Sequence, residues 1–378
     1  MLRIGIVGCG KIADDHLSQI KRIDGCEVVG VCDNEVLMAH QLADRFSVRH
    51  RFDSLDEMLS TISPDVVHIT TPPASHFGLA KKCMQSGAHV YVEKPFTVAE
   101  QEARDLIAFA QENGRKLTVG HDDQFRHVAR RMRELVRSEY LGTGPVHLES
   151  YYCYEMGGSS YAKALLANKQ HWVRRLPGKL LQNVISHGIA RISEFMTTDA
   201  PQVIAFGFAS PYLRSLGEHE IIDEARIIVA DDDRMTAYFT FSSQMRPALH
   251  QFRIYGSKNG LVLDQDQETL IKLRGHRYPS FAEKFIPPLD FAKQYLGNFV
   301  TNAKKFIARD FHMKAGMKYL IQQFYHSVEQ DSSLPIDYQE ILRTSVIMER
   351  IFRQLAIPQN SLLDGSSTTQ LLESEKAV

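Results

Sequence analysis

The first 120 residues alternate between two hydrophobic patterns. Short, largely apolar runs occur at Arg3–Val7, Glu27–Cys32, Val66–Ile69, His89–Val92 and Lys116–Val119. Between them lie helix-length stretches at Lys11–Arg22, Glu35–Arg45, Ser75–Ser86 and Val98–Asn113. Strands alternating with helices imply βαβ units and a parallel sheet. The scarcity of polar positions inside the runs fits strands buried on both faces. Gly87 and Gly114 stand where helices should stop.

Beyond about residue 121 the pattern changes. His147–Tyr154, Val203–Phe208, Arg226–Val229, Met235–Phe241, His250–Tyr255 and Leu261–Leu263 read as strands, several of them alternating, with few helices between. Gly256-Ser257-Lys258-Asn259-Gly260 predicts a hairpin turn. A mainly antiparallel sheet is the economical reading. Helices are expected again at Phe291–Arg309, Met313–Glu329 and Tyr338–Leu355, and the polar stretch after Pro358 reads as a mobile tail. The predicted fold is therefore α/β: a doubly wound parallel Rossmann sheet over residues 1–121, then an α+β domain with a large, open, mainly antiparallel sheet over 122–358, and a tail over 359–378.

Composition supports two ordinary domains. The chain has 378 residues, 44% of them hydrophobic and 24% charged, and a formal net charge of −1. That balance gives no global attraction to nucleic acid or to an anionic membrane. No apolar run reaches the ~18–20 residues of a membrane helix. The five cysteines (Cys9, Cys26, Cys32, Cys83 and Cys153) form no C-x-x-C pair, which argues for a reducing compartment and against a disulfide or zinc framework. A soluble, cytoplasmic protein is expected.

Chemistry first enters at Gly8-Cys9-Gly10-Lys11-Ile12-Ala13, a G-x-G-x-x-A turn between a strand and a helix. Gly8 permits the turn, Gly10 lets the backbone approach a pyrophosphate, and Ala13 allows close helix–strand packing. The following helix offers unpaired N–H groups to phosphate. Asp33, twenty residues after Ala13 and at the end of the second strand, would accept hydrogen bonds from ribose hydroxyls. Gly8, Gly10, Lys11, Ile12, Ala13 and Asp33 are thus expected to bind a dinucleotide. A carboxylate at position 33, followed by Asn34-Glu35 and no arginine, favours NAD over NADP.

Two more segments fall at carboxyl ends of parallel strands, where doubly wound sheets bind ligands. They are Thr70-Thr71-Pro72-Pro73-Ala74-Ser75-His76 and Tyr91-Val92-Glu93-Lys94-Pro95. By spacing alone, Lys94 reads as a surface lysine beside a helix start. Together, however, Gly8-x-Gly10-x-x-Ala13, Asp33, Thr71-Pro72-Pro73 with His76, Glu93-Lys94-Pro95 and Val119-Gly120 make the chain resemble the Gfo/Idh/MocA family. The resemblance implies nicotinamide-dependent oxidation of a sugar, polyol or sugar derivative, with Lys94 in catalysis. It implies Thr71, Pro72, His76 and Glu93 around the cofactor, and an open second-domain sheet that makes oligomer contacts, hence a homodimer or homotetramer.

The family's second-domain motif, an Asp and a His four residues apart, matches Asn183 and His187. Both sit on one stripe of an amphipathic segment read as a single helix. An Asp would orient His187 and stabilise its charged form; Asn183 supplies no charge, so His187 should titrate lower than in the usual arrangement. Asp14-Asp15-His16 and His121-Asp122-Asp123 are poor metal sites, because adjacent residues rarely converge on one ion. No metal is expected. Trp172-Val173-Arg174-Arg175 reads equally as a surface loop or as contacts to nicotinamide or an anionic substrate. Lys304, Lys305, Arg309, Lys314 and Lys318 read as a solvated helix face or as contacts to sugar-nucleotide phosphates.

Three functions stay open at this point. In the first, Lys94, with His187, takes the proton of a hydroxyl whose carbon gives hydride to NAD, while Asn183 fixes the substrate. In the second, NAD stays bound and transient oxidation drives an elimination. In the third, the chain is an NAD-responsive regulator without turnover. The expected ligand is a small sugar, polyol or sugar nucleotide, and neither nucleic acid nor membrane.

Overall fold

A computed structural model of the chain describes residues 1–155, 160–275, 278–311 and 314–356. The expected tail over 359–378 and the helix start expected at Met313 lie outside the described residues.

The first unit runs β1 (Leu2–Val7), α1 (Lys11–Ile20), β2 (Cys26–Cys32), α2 (Val36–Phe46), β3 (His50–Phe52), α3 (Leu55–Ile62), β4 (Val66–Ile69), α4 (His76–Gln85), β5 (His89–Val92), α5 (Glu100–Glu112) and β6 (Leu117–Val119). All strand pairs are parallel, in the order β3-β2-β1-β4-β5-β6. Ile4, Ile6, Val31, Val66, Ile69, Val90 and Val92 are fully buried, as strands covered on both faces require. The strand order reverses between β1 and β4, which opens a crevice at the carboxyl ends of those strands.

β3 and α3 add to the elements expected from sequence. Three residues, His50-Arg51-Phe52, are too short for a periodic signal. Helix α3, by contrast, carried a readable start: the Ser54 hydroxyl accepts from the Glu57 N–H, and Asp56 and Glu57 occupy the first turn.

The second unit runs α6 (His127–Arg137), β7 (Pro145–Cys153), α7 (Ser160–Ala167), α8 (Lys179–Val184), α9 (Ser186–Ser193), β8 (Gln202–Phe208), α10 (Pro211–Ser215), β9 (Glu224–Asp231), β10 (Met235–Ser242), β11 (Leu249–Gly256), β12 (Asn259–Asp264), β13 (Thr269–Arg274), α11 (Ile286–Ile307), α12 (Ala315–Gln330) and α13 (Tyr338–Leu355). Its seven-stranded sheet has the order β13-β12-β11-β7-β10-β9-β8. It is antiparallel except where β7 pairs with β10. The sheet is the mainly antiparallel one expected, extended by β13. The segment read as one helix is broken after Val184, so Asn183 lies in the last turn of α8 while His187 lies in the first turn of α9.

One face of this sheet is covered by α9 and α13 around Leu148, Phe239, Phe252 and Ile347. The other face presents Ile204, Phe206, Phe208, Ile228 and Tyr238 to solvent. Helix α12 packs against α1 and contributes Leu320, Ile321 and Phe324 to the core of the first unit. That return brings the amino end of α12 to the mouth of the crevice.

Candidate functional site

The turn after β1 has the form that phosphate binding needs. Gly8 has φ of +93°, and a Cβ there would stand 2.7 Å from Thr71 Cγ2 and 2.8 Å from Thr71 N. Thr71 therefore packs directly on the turn. Gly10 caps α1, and a Cβ on it would meet nothing within 4 Å, so its outer side is open for a ligand. Ala13 is buried. Lys11 is exposed beside the turn. The Asp33 carboxylate accepts from the Cys9 N–H at 2.6 Å and from the Glu35 N–H at 2.9 Å. These bonds fix its orientation and leave lone pairs for ribose hydroxyls. The open Gly10 and the fixed carboxylate fit a dinucleotide.

His76 is fully buried and acts as a brace. Its Nε2 lies 2.8 Å from the Thr71 carbonyl, and its Nδ1 lies 3.0 Å from the Pro95 carbonyl. It ties the Thr71-Pro72 loop to the Lys94-Pro95 loop and presents no ring nitrogen to the crevice.

Past Ile12, a cleft of about 470 Å³ brings Lys94, His187, Asp122, Asp123, Tyr152 and Lys314 together. The Lys94 amine donates to the main-chain oxygen of Asn183 at 3.0 Å. Burial pushes the pKa of Lys94 down and Lys314 adds to this, while Glu93, Asp122 and Asp123 oppose it. Asn183 thus meets Lys94 through its backbone, and Val184 is the α8 residue that lines the cleft.

His187 Nδ1 stands 3.8 Å from Asp122 and 3.9 Å from Asp123, too far for a hydrogen bond but close enough to feel the charge of Asp123. The carboxylate expected to be missing is thus supplied by the segment after β6. Sequence reasoning considered Asp122 and Asp123 only as metal ligands, and their signal was their place at a strand's carboxyl end. Even so, burial dominates and holds His187 at about 4. The neighbouring His121 is held at about 3, again first by burial and then by His187.

The two aspartates are not equivalent. Asp123 accepts from the Tyr152 hydroxyl at 3.0 Å and from the Gln265 amide at 2.5 Å. Burial would raise its pKa, but His187, Arg191 and Arg126 outweigh that and keep it ionised. Asp122 is pushed up by burial and by the charge of Asp123. Lys314, at the head of α12, pairs with Asp15 at 3.1 Å.

Glu93 faces inward. It accepts from His16 Nε2 at 2.8 Å; His16 Nδ1 meets His68 Nδ1 at 2.8 Å, and His68 Nε2 meets the Tyr325 hydroxyl at 2.8 Å. Burial would raise Glu93, yet the His16 hydrogen bond, Lys94 and His187 hold it down at about 2. A Cβ at position 120 would lie 2.7 Å from a Glu93 oxygen, which explains Gly120. His16, His68 and Tyr325 come from α1, β4 and α12, a convergence no local motif announces. Arg174 pairs with Glu218 at 2.6 Å and donates to the Leu165 carbonyl, so this arginine belongs to the loop's own packing. Among the described residues, no group of three or more His, Cys, Asp or Glu side chains could hold a metal ion. All five cysteines are free.

Residues 2–121 match the family model described as an oxidoreductase family with an NAD-binding Rossmann fold, GFO/IDH/MocA. D-glucoside 3-dehydrogenase of Escherichia coli is 30% identical over 142 residues, 37% of this chain and 40% of that protein. UDP-N-acetylglucosamine 3-dehydrogenase of Acidithiobacillus ferrooxidans is 36% identical over 120 residues, 32% of this chain and 37% of that protein. The matched stretch thus spans about two fifths of the length of these curated relatives. The crystal structure of the latter enzyme superposes with a TM-score of 0.69 at 20% identity, covering 93% of this chain and 97% of that one. The WlbA dehydrogenase of Bordetella pertussis, solved with NADH and UDP-GlcNAcA, gives 0.74 at 17% identity over 93% of this chain and 95% of that one. Those two likenesses establish the two-unit fold across nearly the whole chain. Residues 2–121 are thus similar to the NAD-binding Rossmann fold of the Gfo/Idh/MocA oxidoreductase family.

Proposed function

We propose that the protein is an NAD-dependent dehydrogenase of sugars, polyols or sugar derivatives, using Lys94 and His187 to handle the hydroxyl proton. One observation carries this reading: the Lys94 amine and the His187 ring share one cleft that begins at Ile12, directly after the Gly8–Gly10 turn. Gly8, Gly10, Ala13 and Asp33 would hold the dinucleotide, with Lys11, Thr71 and Pro72 beside it. Bound NAD supplies the hydride acceptor.

The chain's own residues do the rest. A lysine with a depressed pKa is neutral more often at physiological pH, and a neutral amine takes up the proton of the substrate hydroxyl. The Asn183 carbonyl holds that amine in place. His187, neutral at pH 7, accepts a hydrogen bond from substrate or relays the proton onward. Asp123 keeps the ring within the field of a fixed negative charge. Tyr154, His250 and Asp266 line the remaining wall and offer hydrogen bonds to further hydroxyls. Asp33 favours NAD over NADP by repelling a 2′-phosphate.

The same reading makes the chain a cytoplasmic homo-oligomer. Five free cysteines suit a reducing compartment. No described helix is long and apolar enough to cross a membrane. The apolar outer face of the second sheet suits a second copy.

The test is nicotinamide absorbance on mixing purified protein with NAD and a panel of glucosides, inositols and UDP-sugars. Reduced cofactor should accumulate with at least one of them. Lys94→Ala should bind NAD and lose that turnover. Consumption of substrate without reduced cofactor would point instead to oxidation followed by elimination. Full turnover in Lys94→Ala would sink the catalytic assignment.

A further inference from the structure

Three voids join end to end along the first turns of α12. The Lys94 cleft shares Arg126, Gln265 and Asp266 with a second void of about 300 Å³. The second shares His127, Lys305, Asp310 and Ala315 with a third of about 510 Å³. The third is strongly basic. Arg22, Arg130, Lys305, Arg309 and Lys318 line it, with Asp310 as its one acidic residue. Asp310 stands 3.4 Å from Lys305. The Arg130 guanidinium carbon lies over the Tyr319 ring, 3.9 Å from its centroid, which holds the side chain against that wall. Burial and the charges of Lys305, Arg130 and Arg131 push His127 down to about 4.

Part of this charge is engaged within the fold, since Arg22 donates to the Arg309 main-chain oxygen at 3.0 Å and Lys305 faces Asp310. The chain as a whole is nearly neutral, so a net excess of four positive charges around one void is a local concentration that attracts an anion. Guanidinium and ammonium groups match phosphate oxygens best. The dinucleotide's own pyrophosphate is not the candidate. None of Gly8, Gly10 or Asp33 lines this void, and Arg22 lies twelve residues beyond Gly10, roughly 18 Å along the helix.

We propose that the basic void is a phosphate subsite, so that the substrate is a carbohydrate carrying a phosphate or diphosphate group, its hydroxyl at Lys94 and its phosphate on Arg130, Lys305 and Lys318. The proposal deepens the dehydrogenase reading and rests on it for the carbohydrate end. The middle void suits a sugar or linker. Its acids are already engaged: Glu268 with Arg126 at 2.9 Å, and Asp266 with His250 at 2.9 Å.

The experiment titrates inorganic pyrophosphate and UDP into the full-length protein saturated with NAD, so that the dinucleotide turn is filled. Both ligands should bind. Lys305→Ala and Lys318→Ala, each checked for an unchanged circular dichroism spectrum and unchanged NAD affinity, should each weaken binding at least about tenfold. UDP should also compete with a UDP-sugar in turnover and not with the corresponding free sugar. Absence of binding to the NAD-loaded protein, or binding unaltered in both variants, overturns the subsite. Binding that leaves UDP-sugar turnover untouched assigns the void to free phosphate and overturns the substrate claim. Pyrophosphate binding that depends on both lysines in a protein that fails to bind NAD would leave the anion site standing and defeat the dehydrogenase reading instead.

Discussion

The Lys94 amine lies 3.0 Å from the main-chain oxygen of Asn183, so a side chain at the end of β5 is held by the last turn of α8. Because the acceptor is backbone, Asn183→Ala keeps it. That variant should lose far less kcat than Lys94→Ala, whose loss should reach roughly 10²–10⁴-fold, the usual range for removing a general base. Lys94→Arg should not rescue, since a guanidinium stays protonated. In wild type, oxidation should quicken as pH rises towards a Lys94 pKa that lies below 10.5. Steady-state rates on a responsive sugar, with NAD affinity measured in parallel, check all three.

Asp33 is fixed by two main-chain donors before any ligand arrives. Asp33→Ala should weaken NAD by about 1–3 kcal/mol, the scale of a lost charged hydrogen bond. The same change should narrow the gap between NAD and NADP, because the repulsion of a 2′-phosphate goes with the carboxylate. Fluorescence titration with both reduced cofactors measures it. An unchanged NAD/NADP ratio would remove Asp33 from cofactor selection.

Asp123 is held by Tyr152 and Gln265 and faces Arg191 and Arg126. Asp123→Ala strands those cations in a buried region and should cost about 3–5 kcal/mol, whereas Asp123→Asn keeps an acceptor and should cost less. Thermal melts of the two variants decide whether charge or hydrogen bonding dominates. Equal melting temperatures for the two variants would mean that the hydrogen bonds contribute nothing beyond the charge.

The first sheet was legible because each of its strands is read locally: an apolar run, a turn residue, then a helix pattern. The Gly8–Ala13 turn and Asp33 fall within 26 residues of one another and share one βαβ unit, so their partnership is visible in sequence. The opposite wall of the cleft was not legible. Asp123, Tyr152, His187 and Gln265 come from the segment after β6, from β7, from α9 and from just past β12, and only the folded sheet makes them neighbours. The single helix read across residues 178–196 missed its break because the apolar positions keep helical spacing through Ile185, which is fully buried. Asn183 looked like the weak point of the site because it stands where the resembled motif has Asp and supplies no charge. Its replacement charge lies 60 residues away, at Asp123.

Acid should unfold the protein earlier than its carboxylates alone would dictate. Burial holds His187 at about 4, against about 6.5 in the unfolded chain. The unfolded state therefore binds a proton first as pH falls. The stability from keeping the ring neutral is complete above pH 6.5 and is lost on descending towards pH 4. That loss is on the order of 3 kcal/mol. His121, held at about 3, acts in the same direction. Glu93, held at about 2 against 4.5, adds a further loss between pH 4.5 and 2. The melting temperature should drop between pH 6.5 and 4, and His187→Gln should flatten that slope. A variant with the wild-type slope would mean that His187 is not the group responsible.

The outer face of the second sheet remains. Along β8 the burial alternates strictly, so Ile204, Phe206 and Phe208 all point away from the core, and Ile228 of β9 and Tyr238 of β10 continue the patch. Ile204 is 66% exposed and Tyr238 51%. A strand face that is apolar on both sides makes sense when a second surface covers it. The sheet is broad and nearly flat in composition along three adjacent strands, which suits a two-fold contact with the same face of another copy. Light scattering should therefore report at least a dimer. Replacing Ile204 and Phe206 together by Asp should shift it to monomer while leaving the Rossmann unit able to bind NAD, since neither residue touches the cores. A wild-type protein that runs as a monomer at micromolar concentration would leave this face without its proposed cover.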